Sequence, residues 1–294
     1  MEKSKVYFIK EISSEGLIKL YNKLNKELTG SVAVKLHSGE DGNQNYLRPE
    51  FMKDLVELVN GRVVETNTAY PSTVRDTNEG HRKLLDKHGW SAYYDVDIMD
   101  EEGEEELPVK AYKHLKNNLV GTHLKNYDSL LVLSHFKGHP AAGFGGAIKQ
   151  LSIGCASRNG KALIHSGGIT SDPKECWNYF ENQNAFLESM AEAASTVVDR
   201  YKDNMVCLSV MANLSVDCDC CNVAEDPCMK DIGMLASLDP VAIDTACIDL
   251  VKSSNDPGKE HFMERVTSRN GEHTIDYAEE LGLGTKEYEL ITIE

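Results

Sequence analysis

Two stretches of this sequence concentrate side chains that bind ions, move protons or attack electrophiles. The first is Ser134 to Ser166, SHFKGHPAAGFGGAIKQLSIGCASRNGKALIHS. It opens with His135, Lys137 and His139. Gly143, Gly145 and Gly146 then lead into a helix-like run from Ala147 to Ile153, and Cys155, Ser157, Arg158, Lys161 and His165 follow. A strand, then glycines, then a helix start can hold an anion, because free backbone N–H groups and the helix dipole both favour negative charge. Lys149 and Ser152 follow Gly145 at helical spacing and can share its face. In that arrangement Lys137, Lys149 and the glycine turn hold the anion, and His135 or His139 moves protons. The plainer alternative is a tight strand-to-helix turn beside satisfied histidines.

The second stretch is the loop Val216-Asp217-Cys218-Asp219-Cys220-Cys221-Asn222. Cys218 and Cys220 are two apart, so in an extended segment their side chains point the same way and both reach one ion. Thiolates suit zinc, copper(I) or iron–sulfur centres. Asp217 can add an oxygen ligand or orient another group. The spacing is neither the paired C-x-x-C of a zinc ribbon nor the cysteine run of a bacterial ferredoxin. Reduced thiols in a polar loop are the alternative.

These residues need a frame, and the hydrophobic pattern supplies one. Short apolar runs at Val6–Ile9, Val32–Leu36, Arg62–Thr66, Leu130–Leu133, Met205–Leu214 and Ile232–Ser237 read as strands, and Glu287–Ile293 as an edge strand. Ser91–Val96 is expected as a further strand. Helices are expected from Leu17 to a stop at Gly30, from Pro49 to Gly61, over Thr77–His88, after Asp239-Pro240, and as one long helix from Pro173 to Tyr201 capped by Asp172. The acidic run Asp100–Glu106 reads as a solvated hairpin tip or loop. This alternation implies an α/β fold with a mixed, largely parallel sheet flanked by helices. Ligands in such sheets bind beyond the carboxyl ends of strands. His37, Asn67 and His135 each follow a strand there, which places them at one cleft. Cys176 and Cys247 read as buried core thiols.

Composition narrows the class. The 294 residues carry a net charge of -16, which repels phosphate backbones and anionic membranes, so neither nucleic acid nor membrane is an expected partner. No apolar run reaches the ~20 residues of a membrane span, and the start shows no secretory signal. With cysteines bunched at Cys218, Cys220, Cys221 and Cys228, the expected setting is cytoplasmic, with metal or redox work for the bunch. No repeat or linker divides the chain, so one domain over residues 1–294 is expected, or two intimately packed lobes of about 1–125 and 126–294.

Taken together, the central stretch, the DCDCC loop, DIGMLASLDPVAIDTACIDLV, VKLHSGEDGN and ETNT resemble the family called domain of unknown function 362 over most of the chain. Members are often described as iron–sulfur proteins without an established reaction. The resemblance marks His37, Asn67, His135, Lys137, His139, Gly145, Gly146, Lys149, Cys155, His165, Asp217, Cys218 and Cys220 as motif positions. One departure stands out. Members described as ferredoxins carry cysteine-rich loops after the motif at His165-Ser166, whereas here only Ser166 to Cys176 separate His165 from Trp177, and Cys176 is their only cysteine.

Two readings follow. In the first, a redox protein holds a zinc or iron ion, or an iron–sulfur cluster, on Cys155, His165, Asp217, Cys218 and Cys220, and works with a redox partner protein. In the second, an enzyme acts on a small anionic substrate, with His135, Lys137 and His139 in catalysis and His37, Asn67, Gly145, Gly146 and Lys149 in binding. The DCDCC loop and the central stretch are expected to meet in space at one site, because both follow strands of one parallel sheet.

Overall fold

The structure is a computed structural model that describes residues 3–71 and 73–294. In chain order its elements are β1 (Ser4–Ile9), α1 (Ser14–Lys23), β2 (Val32–Lys35), α2 (Lys53–Leu58), β3 (Gly61–Glu65), α3 (Asn78–Lys87) and β4 (Asp97–Ile98). There follow β5 (Glu104–Pro108), β6 (Asn117–Gly121), β7 (Ser129–His135), β8 (Lys137–His139), β9 (Gly143–Gly145), α4 (Ala147–Leu151), α5 (Arg158–His165) and α6 (Gln183–Tyr201). The chain closes with β10 (Met205–Met211), β11 (Gly233–Ser237), α7 (Pro240–Ser253), α8 (Lys259–Ser268), α9 (His273–Glu280) and β12 (Tyr288–Thr292).

Eight of the strands form one sheet in the order β12-β1-β11-β10-β7-β2-β3-β4. All neighbours are parallel except the two pairs made by β11, which runs against β1 and β10. The fold is therefore α/β with a mixed, mostly parallel sheet. Strands β7 and β10 are buried at every position, as expected for central strands covered on both faces. Their side chains alternate between two cores. Leu130 and Val132 pack with Ala194 and Val197 of α6 and Val241 of α7, while Leu131 and Leu133 pack with Leu17 and Leu20 of α1 and Leu55 of α2. Because β2, β3, β7 and β10 are parallel, the loops that follow them emerge at one end of the sheet.

Four local expectations give way, the last in part. Residues 91–96 are a short 3-10 turn and coil, and only Asp97–Ile98 pairs with β3. The long helix begins at Gln183, where Asn182 caps Ala185; Asp172 instead accepts from the Lys174 N–H in a separate turn. Helix α1 stops at Leu24, and Asn25 takes the left-handed conformation (φ 47°) that was expected of a glycine at Gly30. The acidic run is half strand, since Glu104–Glu106 pair with Leu119–Gly121. No helix among the described residues is long and apolar enough to cross a membrane.

A candidate thiol and cation site at the strand ends

Three loops meet beyond the carboxyl ends of β2, β7 and β10, and Asp219 is their common point. Its carboxylate accepts from His135 Nδ1 at 3.0 Å and from Lys137 Nζ at 2.6 Å. The other ring nitrogen of His135 lies 2.6 Å from the Ala212 carbonyl, so both nitrogens face acceptors. Burial works to raise the Asp219 carboxyl, but the charges of His135 and Lys137 hold it far below the usual range. The backbone is tied as firmly. The Glu40 N–H donates to the Asp219 carbonyl, and the Asn43 amide donates to the carbonyls of Cys218 and Cys221. Gly138 donates to Ser215, and a Cβ on Gly138 would stand 2.5 Å from the Val216 backbone, so only glycine admits this approach.

This anchoring brings the thiol loop to β8. The ligand atoms of His139, Cys218 and Cys220 all lie within 4.8 Å of one another. Cys218 Sγ and Cys220 Sγ are 2.7 Å apart as free thiols, and His139 Nε2 is 3.7 Å from Cys220 Sγ. Burial pushes the Cys218 thiol up to about 12. The bond from Cys218 lowers Cys220, but Cys221 and burial outweigh it, and Cys220 also reaches about 12. Burial, helped by Lys149, lowers His139 to about 4, so its ring is neutral. The N–H groups of Ala141 and Ala142 both donate to its Nδ1. The single ring proton therefore sits on Nε2 and faces the sulfurs. His37 has the same tautomer, because Gly39 N–H donates to its Nδ1, and burial with Arg75 holds it neutral.

The pocket over these thiols is walled by cations. Lys35, Arg75, Lys137 and Lys161 line it and are buried, and Lys149 lines it half-buried. Lys35 pairs with Glu65 at 2.6 Å and Arg75 with Glu40 at 3.0 Å. Glu65 also accepts from the Ser38 N–H and hydroxyl. The Lys149 ammonium has neither a hydrogen bond nor an ion pair among the described residues, and its Cδ lies 3.4 Å from where a Gly145 Cβ would be. His165 also lines the pocket. Its Nδ1 donates to the Lys161 carbonyl at 2.6 Å, and burial lowers the ring to about 4, leaving Nε2 a bare acceptor. Tyr70 and Trp177 stack beside it.

Of the residues singled out in the sequence, His37, His135, Lys137, Gly145, Gly146, Lys149, His165, Cys218 and Cys220 line this pocket, and His139 adjoins it through the thiols. Others lie apart. Asn67 is consumed by Asn78, His81 and Asp100. Asp217 pairs with Arg265 at 2.9 Å. Cys155 is buried outside the thiol group, its thiol raised by burial to about 11. The start of α4 is not an anion site. The N–H groups of Ala147 and Ile148 already donate to the buried Asp244 carboxylate, at 2.7 and 3.0 Å. That carboxylate occupies the space a Gly146 Cβ would need, 2.3 Å away, so the glycines admit an internal cap.

Sequence reasoning missed Asp219, Lys35, Glu65, Arg75 and the role of Lys161. Asp219 was findable: the alternation that points Cys218 and Cys220 one way sends it the other. Lys35 was findable as the one charge inside VAVKL. Glu40 and Arg75 carry no local signal, since their pairing depends on tertiary contact across 35 residues.

Two thiols and a histidine in one cluster form a possible metal-binding group. Cys218, Cys220 and His139 Nε2 each carry a proton that an ion would displace on binding.

The family model described as "Domain of unknown function (DUF362)" matches residues 32–249. Among solved structures, the lactate racemase apoprotein from Thermoanaerobacterium thermosaccharolyticum is similar at 14% identity and a TM-score of 0.43, over 70% of this chain and 50% of that one. A Thermotoga maritima protein solved as a structural-genomics target is similar at 14% identity and 0.41, over 91% and 58%. The chain thus spans between half and three-fifths of the length of these two structures. No curated protein matches.

Proposed function

We propose that this chain, which belongs to the family described as domain of unknown function (DUF362), holds one soft metal ion on Cys218 and Cys220 and works on a small anionic substrate beside it. The observation that carries this reading is the cluster of His139, Cys218 and Cys220 donor atoms within 4.8 Å under a cation-lined pocket. An ion bound there would supply Lewis acidity, or a redox couple if it is iron. The protein supplies the rest. Lys149, whose ammonium has no ion-pair partner among the described residues, draws an anion into a molecule whose net charge of -16 would otherwise repel it. The Nε2–H groups of His37 and His139 are fixed donors, because the backbone occupies both Nδ1 atoms. Asp219, His135 and Lys137 keep the thiol loop in register with β8.

Metal analysis of anaerobically purified protein tests this. We expect one equivalent of zinc or iron per chain, lost when Cys218 and Cys220 are both replaced by Ser. Unchanged metal in a folded double variant would remove these thiols as ligands and end the proposal.

A further inference from the structure

Four cations are buried in the pocket wall, and they do not have equal company. Lys35, Arg75 and Lys137 each contact a buried carboxylate: Glu65, Glu40 and Asp219. Lys161 contacts none among the described residues. Its Nζ reaches Thr66 Oγ1 at 2.5 Å and the Ala156 carbonyl at 2.7 Å. Asp100, a carboxylate whose charge acts on Lys161, is engaged elsewhere, accepting the N–H groups of Asn67 and Arg158 on its two oxygens.

The direction of these bonds is fixed. The Thr66 hydroxyl donates its proton to the Gly154 carbonyl at 3.0 Å, so it accepts from Lys161. The Ala156 carbonyl can only accept. A neutral amine has two N–H bonds and one lone pair, and here two acceptors stand ready for the two N–H bonds. The lone pair is the one position left, on a side chain that lines the pocket. The surroundings favour this neutral form. Burial, together with Lys35 and Arg75 and against Asp100, brings the Lys161 amine down to about 7. Desolvated lysines near other cations serve as carbonyl nucleophiles for this reason.

We infer that Lys161 is a covalent site for a small oxo acid: its amine condenses with the substrate's carbonyl carbon to form a Schiff base. The nitrogen lone pair forms the C–N bond. The carbonyl oxygen takes up the two amine protons and departs as water, and no oxidation state changes. The acid group is the share of Lys149, the lysine of the same pocket that has no partner in the described residues. Nothing in this chemistry needs an ion on Cys218 and Cys220, so it stands or falls apart from the metal reading.

The test uses the full chain, once treated with chelator and once loaded with zinc. Pyruvate or glyoxylate is added with sodium cyanoborohydride at pH 7, followed by intact mass and peptide mapping. We expect one reduced adduct on the peptide carrying Lys161, in both metal states, with more than about a tenfold preference over surface lysines, which are almost wholly protonated at that pH. Lys161→Arg should abolish it. Lys149→Met should slow labelling by the oxo acids far more than labelling by propanal, a neutral aldehyde. Adducts scattered over surface lysines, or no adduct on Lys161 with any of the three carbonyls, would overturn the inference. Labelling of Lys161 by propanal alone would overturn the assignment of an oxo acid. Mapping on the unmutated chain reads Lys161 directly, so the result does not depend on a variant folding.

Discussion

Replacing Asp219 with Asn keeps the shape of the site and removes its central charge. The carboxylate now accepts His135 Nδ1 on both oxygens, at 3.0 Å each, and Lys137 Nζ at 2.6 Å on one of them. An amide offers one acceptor and turns two further N–H donors on groups that are themselves donors. His135 and Lys137 are 4% and 5% exposed, so water cannot take over. Breaking a buried ion pair by removing one partner costs about 3–5 kcal/mol. At roughly 2 °C per kcal/mol for a chain of this size, Tm should fall by about 6–10 °C. The pH dependence adds a second readout. The folded carboxyl is depressed below its unfolded value, so its stabilisation is present above the unfolded pKa of about 3.9 and is lost as pH falls toward the folded value. The gap between wild type and Asp219→Asn should therefore be full at pH 7 and narrow progressively below about pH 4. Urea unfolding of both proteins at pH 7 and pH 3.5 measures it. A loss under about 1 kcal/mol at pH 7, or a gap that does not shrink in acid, would refute the central role given to this charge.

Three more outcomes are expected. Gly138→Ala drives a methyl to 2.5 Å from the Val216 backbone, and should cost about 1–3 kcal/mol in denaturant unfolding and weaken metal retention; full stability would mean the loop can step aside. Zinc binding at pH 7 should release about two protons per ion, because both thiols sit near 12 and are protonated beforehand; calorimetry in buffers of differing ionisation heat reads this, and no release would exclude thiolate ligation. Lys161 is depressed to about 7 in the fold against an ordinary lysine value of about 10.4, so between these pH values the unfolded chain holds the extra proton. Stability should accordingly rise from pH 7 to pH 9 more steeply in wild type than in Lys161→Met, and equal slopes would show that Lys161 is charged in the fold.

Much of the frame is legible from the chain itself. Leu130–Leu133 is apolar at every position, and Val32–Leu36 at every position but Lys35, because both faces of the sheet are covered, and they appear as β7 and β2. Asp239-Pro240 is legible as a cap, and Asp239 does accept from Val241 and Ala242. The break near Asn182 is not. Trp177 and Phe180 suit a helix face, yet they pack around His165 instead, a tertiary demand that overrides local pattern. The meeting of the DCDCC loop with His139 follows from parallel strand order. The purpose of Gly146 does not, because it serves Asp244, 97 residues away from the Ala147 amide it caps. Glycine types advertise a close approach without naming the visitor.

The ties between Asn43 and the carbonyls of Cys218 and Cys221 bear on the order of assembly. These partners are separated by 175 and 178 residues, so the thiol loop closes only after distant parts of the chain have come together, a slow class of event. During synthesis the loop containing Glu40 and Asn43 exists long before the cysteines it will clasp. Until closure, Cys218 and Cys220 react as open-chain thiols of ordinary acidity, near 8.5. Afterwards they are raised to about 12 and fall silent. The rate at which an alkylating agent marks these two cysteines therefore clocks the completion of the whole pocket, with every cation in its wall already seated.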